Sequence, residues 1–117
     1  MALNEQQEAL CAGNTTDFSG IRAAFVNCTL KPSPEPSHTD LLMGTSAAIM
    51  DKAGASVSRI RMADHQVAYG VQPDMTEHGR ARDDWPKLWE VIGAADILVL
   101  GTPIWLGEES SLCRLLI

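Results

Sequence analysis

Basic residues are few in this sequence: 9 lysines and arginines against 15 aspartates and glutamates give a net charge of −6. With no basic stripe to neutralise phosphates, a nucleic-acid groove and an anionic membrane surface are excluded as partners. Long apolar runs are missing too. None approaches the roughly 18 residues of a membrane span, and the polar start Asn4-Glu5-Gln6-Gln7-Glu8 is unlike a signal peptide. The expected location is the cytoplasm. Cysteine is limited to Cys11, Cys28 and Cys113, without C-x-x-C spacing. Neither a disulfide framework nor a zinc site is indicated, and all three are expected as free thiols.

What is present suffices for one domain. The 117 residues are 45% hydrophobic and 21% charged, enough apolar material for a core. Their organising stretch is Ala94 to Gly107, where Asp96-Ile97-Leu98-Val99-Leu100 runs without alternation into Gly101-Thr102-Pro103-Ile104-Trp105-Leu106-Gly107. Such a run predicts a parallel strand covered on both faces, and ligands of open parallel sheets sit beyond the carboxyl ends of the strands. The loop after Leu100 is therefore the first place to look for chemistry. Pro103 stiffens it, Gly101 and Gly107 allow close backbone approach, and Trp105 offers a flat apolar face on which a heterocycle could stack. A tryptophan that merely covers the end of the sheet is the competing reading.

Upstream, residues 1–20 form a polar leader with a weak helical piece. Ile21 to Asn27 predicts the first strand. Three prolines within Pro32-Ser33-Pro34-Glu35-Pro36 then hold an extended loop. A helix is predicted next, capped by Ser37 or Thr39, with Leu41, Leu42, Thr45, Ala48 and Ile49 at helical spacing before Gly54. Strand, hydroxyl-bearing loop and helix start in succession suit a phosphate monoester. Backbone N–H groups, the helix dipole and the hydroxyls of Thr29, Ser33, Ser37 and Thr39 would bind it, with Lys31 and His38 adding charge. Plain cap and turn roles compete with this reading.

Val57 to Met62 predicts a second strand whose polar face, Val57, Arg59 and Arg61, suits a sheet edge. Ala63 to Arg82 has no period and reads as a long loop; its Asp64, His65, Tyr69 and His78 match no metal-ligand spacing. Asp83 or Asp84 can cap a helix carrying Trp85, Leu88, Trp89 and Ile92, with both tryptophans expected against the sheet. A last helix is expected to begin near Leu112.

Together the two loops resemble the flavodoxin-like family, in its NADPH-dependent FMN reductase and quinone reductase branch. Asn27-Cys28-Thr29-Leu30-Lys31 running to Ser37-His38-Thr39 looks like the FMN-phosphate loop. Thr102-Pro103-Ile104-Trp105-Leu106-Gly107 before Ser110-Ser111-Leu112 is similar to the flavin-ring loop. The resemblance covers Ile21 to Ile117. It implies an α/β doubly wound parallel sheet of which the first three strands, in order 2-1-3, are present. It also implies that Thr29, Lys31, Ser37, His38 and Thr39 surround the phosphate, while Thr102, Pro103, Ile104, Trp105, Leu106 and Gly107 line the ring. The implied function is an FMN-dependent oxidoreductase passing electrons from NAD(P)H to a quinone, flavin or similar small acceptor. A non-enzymatic flavodoxin-type electron carrier and an inactive fragment are the alternatives. No acid–base or nucleophilic residue is implied, because the flavin carries the difficult step.

Other doubly wound families fit poorly. A receiver domain needs acidic residues where Asn27-Cys28 and Gly101 stand, and a low-molecular-weight tyrosine phosphatase needs arginine where Pro34 stands. No Gly-Lys-Ser/Thr loop or G-x-G-x-x-G fingerprint supports nucleotide hydrolysis or Rossmann-type NAD binding. With three strands of the usual order 2-1-3-4-5, the sequence is expected to be the N-terminal part of a longer domain. Its third strand is then an open edge calling for cover by further strands or another chain, a second copy included. The isolated chain is expected to bind FMN weakly or not at all, since in this family a third flavin-contacting loop follows the fourth strand.

Overall fold

The computed structural model describes residues 2–117; Met1, the first residue of the leader, lies outside them. Element order is α1 (Glu5–Ala12), β1 (Arg22–Asn27), α2 (His38–Lys52), β2 (Ser56–Arg61), α3 (Trp85–Gly93), β3 (Ile97–Gly101), β4 (Ile104–Trp105), β5 (Glu108–Glu109) and α4 (Ser111–Leu116). The first three strands form a parallel sheet in the order β2-β1-β3, as expected, and β4 and β5 pair separately.

Register decides which side chains share a face. Phe25 lies opposite Arg59 and Val99, and Asn27 opposite Arg61 and Gly101. Side chains alternate across a strand, so Ala23, Phe25 and Val57 meet Met43, Ala47 and Met50 of α2 on one face. Val26, Cys28, Ile60 and Met62 meet Leu88, Ile92 and Cys113 of α3 and α4 on the other. β1 is covered on both sides: Ala23 to Val26 are at most 2% exposed.

The same topology corrects the expectation for the organising strand. β3 lies at the edge of the sheet, and Ile97, Leu98 and Leu100 are 38%, 47% and 39% exposed. Its faces are only partly covered, although its edge position was expected; those of β1 are covered by α2 on one side and by α3 and α4 on the other. Two further corrections concern helices. α2 buries Met43, Gly44 and Ala47, leaving Leu41, Leu42 and Ile49 exposed. At the end of β3 the Met43 side chain is seated over Gly101, where a Cβ would lie 2.0 Å from its Sδ. Trp89 is 55% exposed; it lies beside Trp85, with ring centroids 5.9 Å apart.

Residues 63–82 are an ordered excursion pinned by two adjacent carboxylates. Asp83 accepts hydrogen bonds from the amides of Ala68, Met75 and Trp85. Asp84 accepts from the Gln66 amide at 2.8 Å and from the Arg82 guanidinium at 2.8 Å. The Arg82 hydrogen bonds first, then the Gln66 amide, hold the Asp84 carboxyl down to about 2. A carboxyl whose folded pKa lies below the unfolded value of about 3.9 stabilises the fold fully above that value and loses its contribution as pH falls toward 2. Protection of the Gln66 amide, its exchange rate relative to an unstructured peptide at the same pH, is therefore expected to fall between about pH 4 and pH 2. In Asp84→Ala that protection should be low already at neutral pH and should not change further in that window; unchanged protection in the variant would refute the pinning role.

Candidate functional site

The site is assembled at the carboxyl ends of β1 and β3, from two loops that are far apart in sequence. The first leaves β1 through Asn27, Cys28 and Thr29, all buried. Asn27 holds the loop from both ends: its Oδ1 accepts from the Thr29 amide at 3.0 Å, and its Nδ2 donates to Ser37 Oγ at 3.4 Å. Of the two expected caps Ser37 is the one used, with its hydroxyl accepting from the Asp40 amide. The first-turn amides of His38 and Thr39 have no acceptor within the helix, which leaves them for an anion. Lys31 folds across the loop and donates from Nζ to the Pro36 carbonyl at 3.2 Å. Among the described residues it forms no ion pair.

The proline-rich excursion turns away from this cradle toward β2. The Ser33 amide and hydroxyl both donate to the Asp64 carboxylate, at 2.7 and 2.6 Å, and Arg61 donates to the Glu35 carbonyl at 2.9 Å. A cleft of about 470 Å³ opens between excursion, α2 and β2. Its arginines are already engaged, Arg61 as above and Arg59 with Asp40 at 2.8 Å. Ser37 and Asn27 also line this cleft, whereas Thr29 does not.

The second loop is a hairpin, which the sequence reading missed. Ile104 pairs with Glu109 and Trp105 with Glu108, joined by Leu106 and Gly107 at φ 53° and 83°. Two left-handed residues make the primed turn whose twist suits a hairpin, and its usual signature is Asn-Gly or Asp-Gly. Leucine in that conformation is strained, and Leu106 is fully exposed. Ile104 is 77% and Trp105 42% exposed, so the hairpin holds out a ridge of apolar side chains. Thr102 Oγ1 donates to the Pro103 carbonyl at 2.8 Å, closing the entry to the hairpin.

The two loops are welded together by backbone and by one side chain. The Cys28 amide donates to the Gly101 carbonyl at 2.7 Å, and Ser110 Oγ donates to the Cys28 carbonyl at 2.6 Å. Asn27 and Ser110 are the contributors that sequence reasoning missed. The sequence marks Ser110 as the opening of the last helix and Asn27 as the end of the first strand, but assigns neither a part in the site. Cys28 itself is inert: burial, then the neighbouring Cys113, push its thiol up to about 12. His65 and His78 lie outside both loops; the His65 ring nitrogen is 3.8 Å from Asp84.

Comparison with known proteins bears on this arrangement. The family model for NADPH-dependent FMN reductase matches residues 22–117. The chain is 32% identical over 102 residues to 8-demethyl-8-aminoriboflavin-5'-phosphate synthase of Streptomyces davaonensis, covering 83% of this chain and 40% of that protein. The crystal structure of RosB with a bound 8-demethyl-8-formylriboflavin-5'-phosphate intermediate superposes with a TM-score of 0.69 at 34% identity, over 81% of this chain and 40% of that one. A further match, 54% identical over 97 residues, covers 83% of this chain but 14% of the divalent metal cation transporter MntH of Mycobacterium bovis. The chain thus spans less than half the length of each of these proteins. Among the described residues no helix is long and apolar enough to cross a membrane, and no group of three or more His, Cys, Asp or Glu side chains could hold a metal ion. The match over nearly the whole sheet and both loops places the chain plainly: it belongs to the NADPH-dependent FMN reductase family, whose fold here is flavodoxin-like.

Proposed function

We propose that this chain seats FMN and forms the flavin-holding part of an oxidoreductase that passes electrons from NAD(P)H to a quinone, a flavin or a similar small acceptor. The observation that carries the reading is the meeting of a phosphate-suited helix start and an aromatic hairpin at the carboxyl ends of adjacent parallel strands, joined through Cys28 and Ser110. RosB, which carries a riboflavin-5'-phosphate derivative, supports it.

The residues fit the group at both of its ends. Toward the phosphate, the hydroxyls of Thr29, Ser37 and Thr39 and the amides of His38 and Thr39 supply donors at the positive end of a helix of 15 residues. Lys31, already folded over the loop, adds the compensating charge. Toward the ring, Pro103 to Gly107 supply the flat face of Trp105 and backbone groups whose hydrogen bonds tune the flavin. Bound FMN would supply the electron-accepting centre, so the protein needs no acid, base or nucleophile of its own. The chain's tasks are to bind, to orient and to exclude water from one side of the ring.

The test is a visible absorbance spectrum of the purified, FMN-loaded protein before and after NADPH is added without oxygen. Flavin bands that bleach are expected. Bands that persist with NADPH and NADH alike would overturn direct nicotinamide oxidation in favour of a flavodoxin-type carrier.

A further inference from the structure

We propose that Ser110 is a positioning residue that sets the spacing between the phosphate loop and the ring hairpin; the proposal rests on the flavin reading above. Ser110 is fully buried. As the residue before α4 it needs one bond, and its Oγ indeed accepts from the Cys113 amide at 3.2 Å. Helix capping asks nothing more of it. Yet its Oγ also donates to the Cys28 carbonyl at 2.6 Å, across 82 residues of sequence, and its amide donates to Thr102 Oγ1 at 2.9 Å.

Those two extra bonds join the loops into one chain of contacts. On the ring side it runs from Ser110 to Thr102 and on to the Pro103 carbonyl. On the phosphate side it runs from the Cys28 peptide to Thr29, whose amide Asn27 holds, and from Asn27 to Ser37. The links run from 2.6 to 3.0 Å except the last, Asn27 to Ser37, at 3.4 Å. They lie in or beside buried backbone, where a satisfied network is stiff and a broken one is costly. A ligand long enough to touch both loops benefits from their preset spacing, because the ordering cost has been met in advance. A ligand that touches one loop gains nothing from it. Ser110 touches no ligand itself; it acts through Cys28 and Thr102.

The experiment titrates the full chain with FMN and, separately, with inorganic phosphate, following backbone amide shifts in the wild type, Ser110→Ala and Ser110→Thr. Ser110→Ala loses both the bond to the Cys28 carbonyl and the cap on the Cys113 amide. FMN is expected to bind about tenfold more weakly, the fold-change that loss of the first produces. Phosphate binding should stay within twofold, and Ser110→Thr, which keeps the hydroxyl, should recover the FMN affinity. Equal losses for FMN and phosphate, or no loss for either, would overturn the proposal. Hydrogen exchange of the ligand-free variants separates this outcome from a failure of the flavin reading. Ser110→Ala should quicken exchange in residues 28–31 and 102–107 together; quickening confined to α4 would reduce Ser110 to a helix cap and refute the proposal even in a chain that binds no flavin.

Discussion

Truncating Phe25 to alanine is expected to destabilise the domain by about 3–5 kcal/mol, read as a lower midpoint in urea at unchanged slope. Phe25 is 1% exposed in the central strand and packs with Met43 and Ala47 of α2. Its neighbours make the loss hard to repair. Ala23 and Ala47 beside it are small, so refilling the space would fall to Met43 and Met50, which are already packed in the same cluster. The cost of such a change rises with the cavity that remains, which puts this site toward the upper end of the range. A loss below about 1 kcal/mol would mean that the α2 face of the sheet is not a packed core.

The second large effect concerns Gly101, where β3 turns into the ring loop. A Cβ there would stand 2.0 Å from Met43 Sδ, 2.8 Å from Met43 Cγ and 3.0 Å from Thr39 Cγ2. Gly101→Ala is therefore expected to cost about 1–3 kcal/mol through overpacking. Because Met43 is the obstruction, the cost should shrink when the variant is combined with Met43→Ala. Urea unfolding of the two single variants and the double variant measures the coupling; strictly additive losses would show that Met43 is not what excludes a side chain at Gly101. The contact with Thr39 brings the first turn of α2 against the end of β3.

These residues also mark how far the sequence could be read. The three strands and the Ser37 cap were legible because each rests on local pattern, apolar runs and a hydroxyl before a helical stripe; the strand order came from the family resemblance. The edge position of β3 was expected from the family resemblance, but the exposure of its faces was not, because an unbroken apolar run reports hydrophobicity and not how far helices cover it. The face of α2 was misjudged for a related reason. Leu41, Leu42 and Ile49 are more apolar than Ala47, yet the face turned to the sheet is the one carrying Met43, Gly44 and Ala47, with Met43 seated over Gly101. The hairpin escaped because Leu-Gly is not an Asn-Gly or Asp-Gly turn; its strained Leu106 departs from the local rule in the loop that the family resemblance assigns to the flavin ring. Ser110 and the Asp83-Asp84 pair act on partners distant in sequence, and no window of residues contains such bonds.

The loops themselves were found, one by hydroxyls at a helix start and the other by glycine, proline and tryptophan after a strand. What the fold adds is that they are neighbours. Cys28 and Gly101 are bonded directly and Ser110 closes the pair, turning two separate suggestions into a single candidate seat.

The most direct test of that single seat is a titration of the isotope-labelled chain with FMN, followed simultaneously at the His38 and Thr39 amides and at the Trp105 indole. The account predicts weak binding in which both sets of signals move along one curve with a shared midpoint. Signals that move at only one loop, at two different midpoints or at neither would contradict it.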